Sequence, residues 1–243
     1  MRIGGHFCAW TLALLLALTL SGCGGSETAS GDGGTPPSKT EQEQTAEPAP
    51  ETAPDPDALT EAEIAAVNEA FTPAEEREGV SYTNPICSFF TSYYERPEDL
   101  DLVEFLRYLG IGGAVEDEAE FQALKGAEGW PFRGVDALDR MPVPIHRYSR
   151  TELDAYLKEH AGITTADLTT FPASSADLLY LPEYDAFYNF TSDAGPGVFI
   201  CKTGRREGDL LILTGGGEEL TLEETEDGRY LFRSFLPLEI GET

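Results

Sequence analysis

Three groups of residues have the types and spacing to do chemistry. In MPVPIHRYSR, His146 stands beside Arg147 and Arg150 in an otherwise acidic chain. Two guanidiniums at that spacing can hold a carboxylate, and an imidazole beside them exchanges protons near neutral pH. The same arginines can instead be spent on nearby Asp and Glu. CSFFTSYYERPED and YLPEYDAFYNFTSD are dense in aromatics, among them Tyr93, Tyr94, Tyr184 and Tyr188. Exposed, these tyrosines would offer flat faces to sugar rings or prolines; turned inward, they are core. His146, Arg147, Tyr93, Tyr94, Tyr184 and Tyr188 are therefore the candidate ligand-binding residues. Cys87 and Cys201 form the third group. A disulfide between them would contribute up to ~4–5 kcal/mol by closing a long loop, whereas unpaired they would behave as small apolar residues.

Catalytic signatures are absent from the sequence. It contains no G-x-S-x-G elbow, S-x-x-K, H-E-x-x-H, phosphate-cradling glycine loop or dinucleotide fingerprint. Paired carboxylates leave no local signature, so a glycan- or peptide-processing hydrolase of that kind remains an alternative. The acidic runs EDEAE (116–120) and EETED (223–227) read as solvated faces or helix starts, since no calcium-binding loop surrounds them. His146 and His160 lack a second histidine or cysteine at ligand spacing. No catalytic residue, metal ligand or cofactor is assigned.

Charge narrows the partners. The chain carries 16 Lys and Arg against 44 Asp and Glu, for a formal net charge of −28. Only Arg2 and Lys39, and eight of the acids, precede Glu61, so the part from there onward has a net charge of −22. Binding to a phosphate backbone needs clustered positive charge, which excludes nucleic acid. Anionic lipid headgroups and wall polymers should be repelled, leaving neutral glycans, cationic groups, peptides or divalent cations as permitted partners, with a neutral glycan, a peptide or a protein expected.

The elements that must position these residues fall into two halves. Thr60 and Glu63 have capping-box spacing before a helix carrying Ile64, Val67 and Phe71. Leu102, Phe105, Leu106 and Leu109 share the face of a second helix, Phe121 and Leu124 belong to a third, and Leu153, Tyr156, Leu157 and His160 align on a fourth that ends at a glycine. The prolines at 142 and 144 suggest an extended edge segment or loop leading to His146. From Asp177 onward, runs at 178–181, 186–191, 197–202, 209–214, 218–224 and 229–236 read as strands joined by short turns rich in Gly, Asp or Pro. The expected fold is α+β, with several short N-terminal helices packed on a C-terminal antiparallel β-meander.

The first 59 residues give an address. Residues 1–22 pair one basic residue, Arg2, with the apolar run CAWTLALLLALTL and end in small residues, the layout of a secretory signal. That run falls short of the ~18 residues of a membrane span. Leu20, Ser21, Gly22 and Cys23 resemble the lipobox of bacterial lipoproteins. The resemblance implies that Cys23 carries a diacylglycerol thioether and becomes the mature N-terminus, anchored to the outer face of the cell membrane. Residues 24–59 are rich in Pro, Gly, Thr and Glu and poor in large apolar side chains, as expected of a disordered tether. As a flexible coil it would span roughly 35 Å. The folded part is then a single acidic domain over residues 60–243.

NPICSFFTSYYERPEDLDLVEFLRYLG, AEGWPF, MPVPIHRYS and YLPEYDAFYNFTSDAGPG together resemble an uncharacterised group of exported lipoproteins from clostridia-like gut bacteria. The likeness spans most of residues 80–235 and implies an address and a domain, with no activity or catalytic residue to carry over. The expectation is a membrane-anchored extracytoplasmic lipoprotein whose domain binds a ligand or partner at the cell envelope. A structural accessory domain of a membrane complex is the third reading.

Overall fold

In the computed structural model the described residues are 55–77, 80–170, 177–190 and 197–238. The expected signal segment (1–22), Cys23 and most of the expected tether (24–59) lie outside them. α1 (Glu61–Ala70) starts at Thr60, whose hydroxyl accepts from the Glu63 N–H while the Glu63 carboxylate accepts from the Thr60 N–H. A hairpin of β1 (Ala74–Arg77) and β2 (Val80–Thr83) follows, then a 3₁₀ turn over Pro85–Phe90. α2 (Leu102–Arg107) is capped by the Asp101 carboxylate, and β3 (Gly113–Ala114) leads to α3 (Glu118–Gly126), capped by Asp117. β4 (His146–Ser149) runs directly into α4 (Arg150–Ala161), which stops at Gly162 in the left-handed conformation that glycine adopts without steric cost.

The remaining strands are β5 (Leu178–Leu181), β6 (Ala186–Asn189), β7 (Thr203–Glu207), β8 (Leu210–Gly215), β9 (Glu218–Glu224) and β10 (Tyr230–Pro237). They form two sheets. One is a meander in the order β10-β9-β8-β7, antiparallel throughout. The other has the order β3-β4-β6-β5, also antiparallel. The fold is α+β. Each of these elements belongs to a unit that takes in Asp57–Thr243.

Two details depart from the sequence expectation. The strands over 178–189 pair with β4 instead of extending the meander, because Tyr148 and Arg147 lie opposite Phe187 and Tyr188. β4 is thus an interior strand, and the prolines sit just before it, where no ladder donor is lost. Residues 197–202 form no strand. Phe199 and Cys201 are buried and Val198 and Ile200 exposed, so the alternation is real, yet the segment joins the meander through little more than the Lys202 N–H donated to the Thr214 carbonyl.

The second sheet separates two apolar clusters. Tyr148, Leu178 and Phe187 face a large cluster shared with α1, α2, α4 and the meander. Leu179, Leu181, Ala186, Tyr188 and Phe190 face a smaller one closed by Phe121 and Leu124 of α3. In the larger cluster Phe89 stacks on Phe232 with centroids 4.1 Å apart, fixing the 3₁₀ turn on β10. Backbone bonds cover both outer edges of the meander: Asp57 and Leu59 pair with β7, and Tyr94 with Phe235 of β10. Covered edges are protected from pairing with foreign strands.

Candidate functional site

β4 and β6 place Arg147 directly opposite Tyr188, and α3 brings Glu120 over both. Glu120 lies one turn before Leu124, on the face that α3 turns to the smaller cluster, and is 7% exposed. Its Oε1 accepts from the Arg147 Nε at 2.7 Å and from the Tyr188 hydroxyl. A buried carboxylate without such partners would be costly, so the three groups form a closed unit. Burial and the Glu120 carboxylate both push the Tyr188 phenol up, away from ionisation. The Glu120 hydrogen bond keeps Arg147 charged more firmly than an isolated arginine.

Arg150 is equally engaged. Its Nε donates to the Thr165 hydroxyl at 3.2 Å and lies 3.6 Å from Asp154, while its Nη1 lies 3.9 Å from Asp185. Asp154 accepts from both the Thr165 N–H (2.7 Å) and hydroxyl (2.6 Å), and the Tyr180 hydroxyl donates to Asp185 at 2.7 Å. Asp185 itself adopts φ 46°, a left-handed conformation that its short polar side chain tolerates. Asp154 and Asp185 thus flank one guanidinium. A carboxylate-pair hydrolase needs the gap between its carboxyls for substrate and water, and here an arginine fills it.

The six candidate ligand residues do not converge. Arg147 and Tyr188 point into the ion-paired unit, and Tyr188 is fully buried. His146 alternates to the opposite face of β4 and is half-buried; burial holds its imidazole below the usual histidine range. Tyr184 packs against the smaller cluster from its rim. Tyr94 is 2% exposed, anchored at the edge of β10, and its hydroxyl has no hydrogen-bond partner among the described residues. Tyr94 and Tyr188 are packed as core, and the nearest buried acid, Glu120, engages Arg147 through its Nε. Tyr93 alone of the six is strongly exposed.

The weighed disulfide is not formed. Cys87 and Cys201 are both free and buried. The Cys87 thiol points at the Phe71 carbonyl and the Cys201 thiol at that of Thr203, so each hydrogen bond leads away into its own surroundings. Burial pushes the Cys87 thiol up to about 12 and raises that of Cys201 as well. Neither has the depressed acidity of a nucleophilic thiol.

Glu120 escapes sequence reasoning because it sits in an acidic run, although its i, i+4 relation to Leu124 is a signal of the inward face. Asp154, Thr165 and Asp185 meet only through tertiary contacts. Among the described residues no group of three or more His, Cys, Asp or Glu could hold a metal ion, and no helix is long and apolar enough to cross a membrane.

The exposed large apolar side chains are less dispersed. Of the five among the described residues, Tyr82 stands apart on β2, while Tyr93, Val198, Ile200 and Leu238, 52%, 50%, 60% and 40% exposed, belong to segments meeting around the β8–β9 turn. Tyr93 donates to Glu218 at 3.2 Å and rests on the Phe235 ring, whose centroid is 5.2 Å away. The Leu238 N–H donates to the Gly217 carbonyl at 2.7 Å. The Ile200 carbonyl lies so close to Gly215 that a Cβ there would meet it at 1.8 Å. The chain matches no protein-family model, and comparison with curated proteins and with solved structures finds no match.

Proposed function

We propose that this chain is a lipid-anchored extracytoplasmic protein whose acidic α+β domain is a binding module joined to its anchor by a Pro- and Gly-rich segment. The observation that carries the binding part is the contrast between its polar and apolar surfaces. Glu120, Arg147 and Tyr188 satisfy one another, as do Arg150, Asp154, Thr165 and Asp185, while four large apolar side chains stand in solvent around one end of the meander. Internally satisfied polar groups stabilise a fold, whereas clustered exposed apolar groups mark a surface that gains by being covered. The anchor is supported by Leu20, Ser21, Gly22 and Cys23 following an apolar run and preceding a Pro- and Gly-rich stretch. One acyl chain binds a bilayer only marginally, but the two of a diacylglycerol group hold stably.

The anchor is tested by expressing the full chain in a bacterium that acylates lipoproteins and comparing it with Cys23→Ser. The wild type is expected to incorporate labelled palmitate, to partition with the membrane fraction and to begin at Cys23 by mass spectrometry. Equal partitioning of the two chains, with no label on either, overturns the reading. A carboxylate-pair hydrolase has less support: Asp154 and Asp185, the acids that flank Arg150, are both engaged by its guanidinium.

A further inference from the structure

We propose that the end of the meander around the β8–β9 turn is a docking surface for a basic amphipathic segment of a partner protein. The proposal rests on the binding-module reading and deepens it by naming the surface and the chemistry of its occupant. Residues 197–202 cross this end in an extended conformation with Val198 and Ile200 outward and Phe199 and Cys201 inward. Phe199 lies 6.0 Å from the Phe235 ring on which Tyr93 rests, so the inward side of this segment and Tyr93 are held on the same buried ring.

The surface is held in shape before any partner arrives. Asn68 of α1 grips Cys201 through two hydrogen bonds, its amide donating to the Cys201 carbonyl at 3.0 Å and its Oδ1 accepting from the Cys201 N–H at 2.8 Å. Gly197 packs so tightly on the 3₁₀ turn that a Cβ would meet the Phe90 carbonyl carbon at 2.4 Å. A segment fixed at both ends loses little entropy when another chain covers it.

Charge selects the occupant. Glu218 holds the Tyr93 hydroxyl in the middle of this surface, and Glu95 and Glu219 stand on the adjoining segments, against Lys202 beside Ile200 and Arg96 already paired with Asp99. The acidity of the part from Glu61 onward extends this field over the whole module. A second copy of this chain would bring like charge to like charge, and an anionic lipid surface would be repelled in the same way. A segment with Lys or Arg beside large aliphatic side chains meets both requirements: apolar cover for Val198, Ile200, Leu238 and Tyr93, and cations for Glu218 and its neighbours.

The test uses residues 24–243, which keep every described residue and do not depend on lipidation of Cys23. The probe is a fluorescent 14-residue amphipathic Lys/Leu peptide, with a Glu/Leu peptide of the same pattern as control, followed by anisotropy. The wild type is expected to bind the Lys/Leu peptide and not the control. Val198→Ser with Ile200→Ser, which leaves the charge unchanged, should weaken binding at least tenfold, and Leu238→Ser severalfold. Unchanged thermal midpoints confirm that these exposed substitutions leave the fold intact. Equal binding by the serine variants would mean that bulk charge alone attracts the peptide, and it overturns the proposal. So does an absence of binding, or concentration-dependent self-association that the serine variants abolish. Because the lipid anchor plays no part here, failure leaves the palmitate result standing or falling separately.

Discussion

Removing the guanidinium of Arg147 would leave Glu120 and the Tyr188 hydroxyl on the inner side of α3 with no cation. Glu120 is the more deeply buried partner, its side chain 9% exposed against 29% for that of Arg147. The two halves of the pair should therefore respond unequally. Arg147→Met strands a buried carboxylate, and a loss of about 2–4 kcal/mol is expected, discounted from a fully buried pair for the solvent that reaches the arginine. Glu120→Leu leaves an arginine that can turn to water and should cost less, about 1–2 kcal/mol. Urea denaturation of both singles and the double should give a coupling of about 1–3 kcal/mol; additive losses would mean that the three groups do not act as a unit. The thiols offer a second test at this scale. Iodoacetamide at pH 8 should leave Cys87 and Cys201 unmodified in the folded protein, since burial holds Cys87 near 12, and should alkylate both once urea is added. Protection that persists in urea until a reductant is added would instead reveal a disulfide.

Local elements answer to local signals, and two substitutions separate them from what only the fold dictates. Thr60→Ala removes the hydroxyl that accepts from the Glu63 N–H, while the Thr60 N–H can still donate to the Glu63 carboxylate, and should cost about 1 kcal/mol. Gly197→Ala drives a methyl into the backbone of residues 87–90, which cannot move aside as a flexible side chain would, and a loss of about 3 kcal/mol is expected by thermal denaturation. A neutral Gly197→Ala would show that the packing of 197–202 on the 3₁₀ turn is loose. The capping box was legible because Thr60 and Glu63 are three residues apart, and α3 and α4 because Phe121, Leu124, Leu153 and Leu157 repeat at helical spacing. β8, β9 and β10 were legible from alternation and the Gly and Asp turns between them. Residues 197–202 misled because alternation reports which side is buried, not where the backbone bonds go; here the bonds run to Asn68 and to one carbonyl of β8. The pairing of β4 with β6 joins segments some forty residues apart, and nothing in either segment names its partner. The site was illegible for the same reason, since Glu120 and Arg147 meet across 27 positions.

Across the whole molecule, buried titratable groups set a pH window that the net charge alone would not. His146 and His160 are held below the ordinary histidine range, first by burial, with His160 also lying 4.4 Å from the Tyr156 ring. A group with a lowered folded pKa contributes stability above its unfolded value, and that contribution fades as pH falls below about 6.5, where the unfolded chain takes up protons that the fold refuses. Tyr94, Tyr148, Tyr156 and Tyr188 are all held above the ordinary phenol range, with burial the leading cause. Their contribution is complete below about pH 10 and is lost as pH rises further, because only the unfolded chain can then release those protons. Self-repulsion in a chain of charge −28 acts in the opposite sense on the acid side, easing only as carboxylates protonate near pH 4–5. The two effects are separated by about two pH units, so urea midpoints should be flat between about pH 7 and 9.5, fall toward pH 5.5 and fall again above pH 10. His160→Phe keeps an aromatic ring against Tyr156 and Phe89 while removing one of the two imidazoles, and it should reduce the slope between pH 7 and 5.5 by about half. An unchanged slope in that variant would assign the acid-side loss to His146 alone, and a midpoint that rises steadily from pH 7 down to 5.5 would show that relief of charge repulsion outweighs both buried imidazoles.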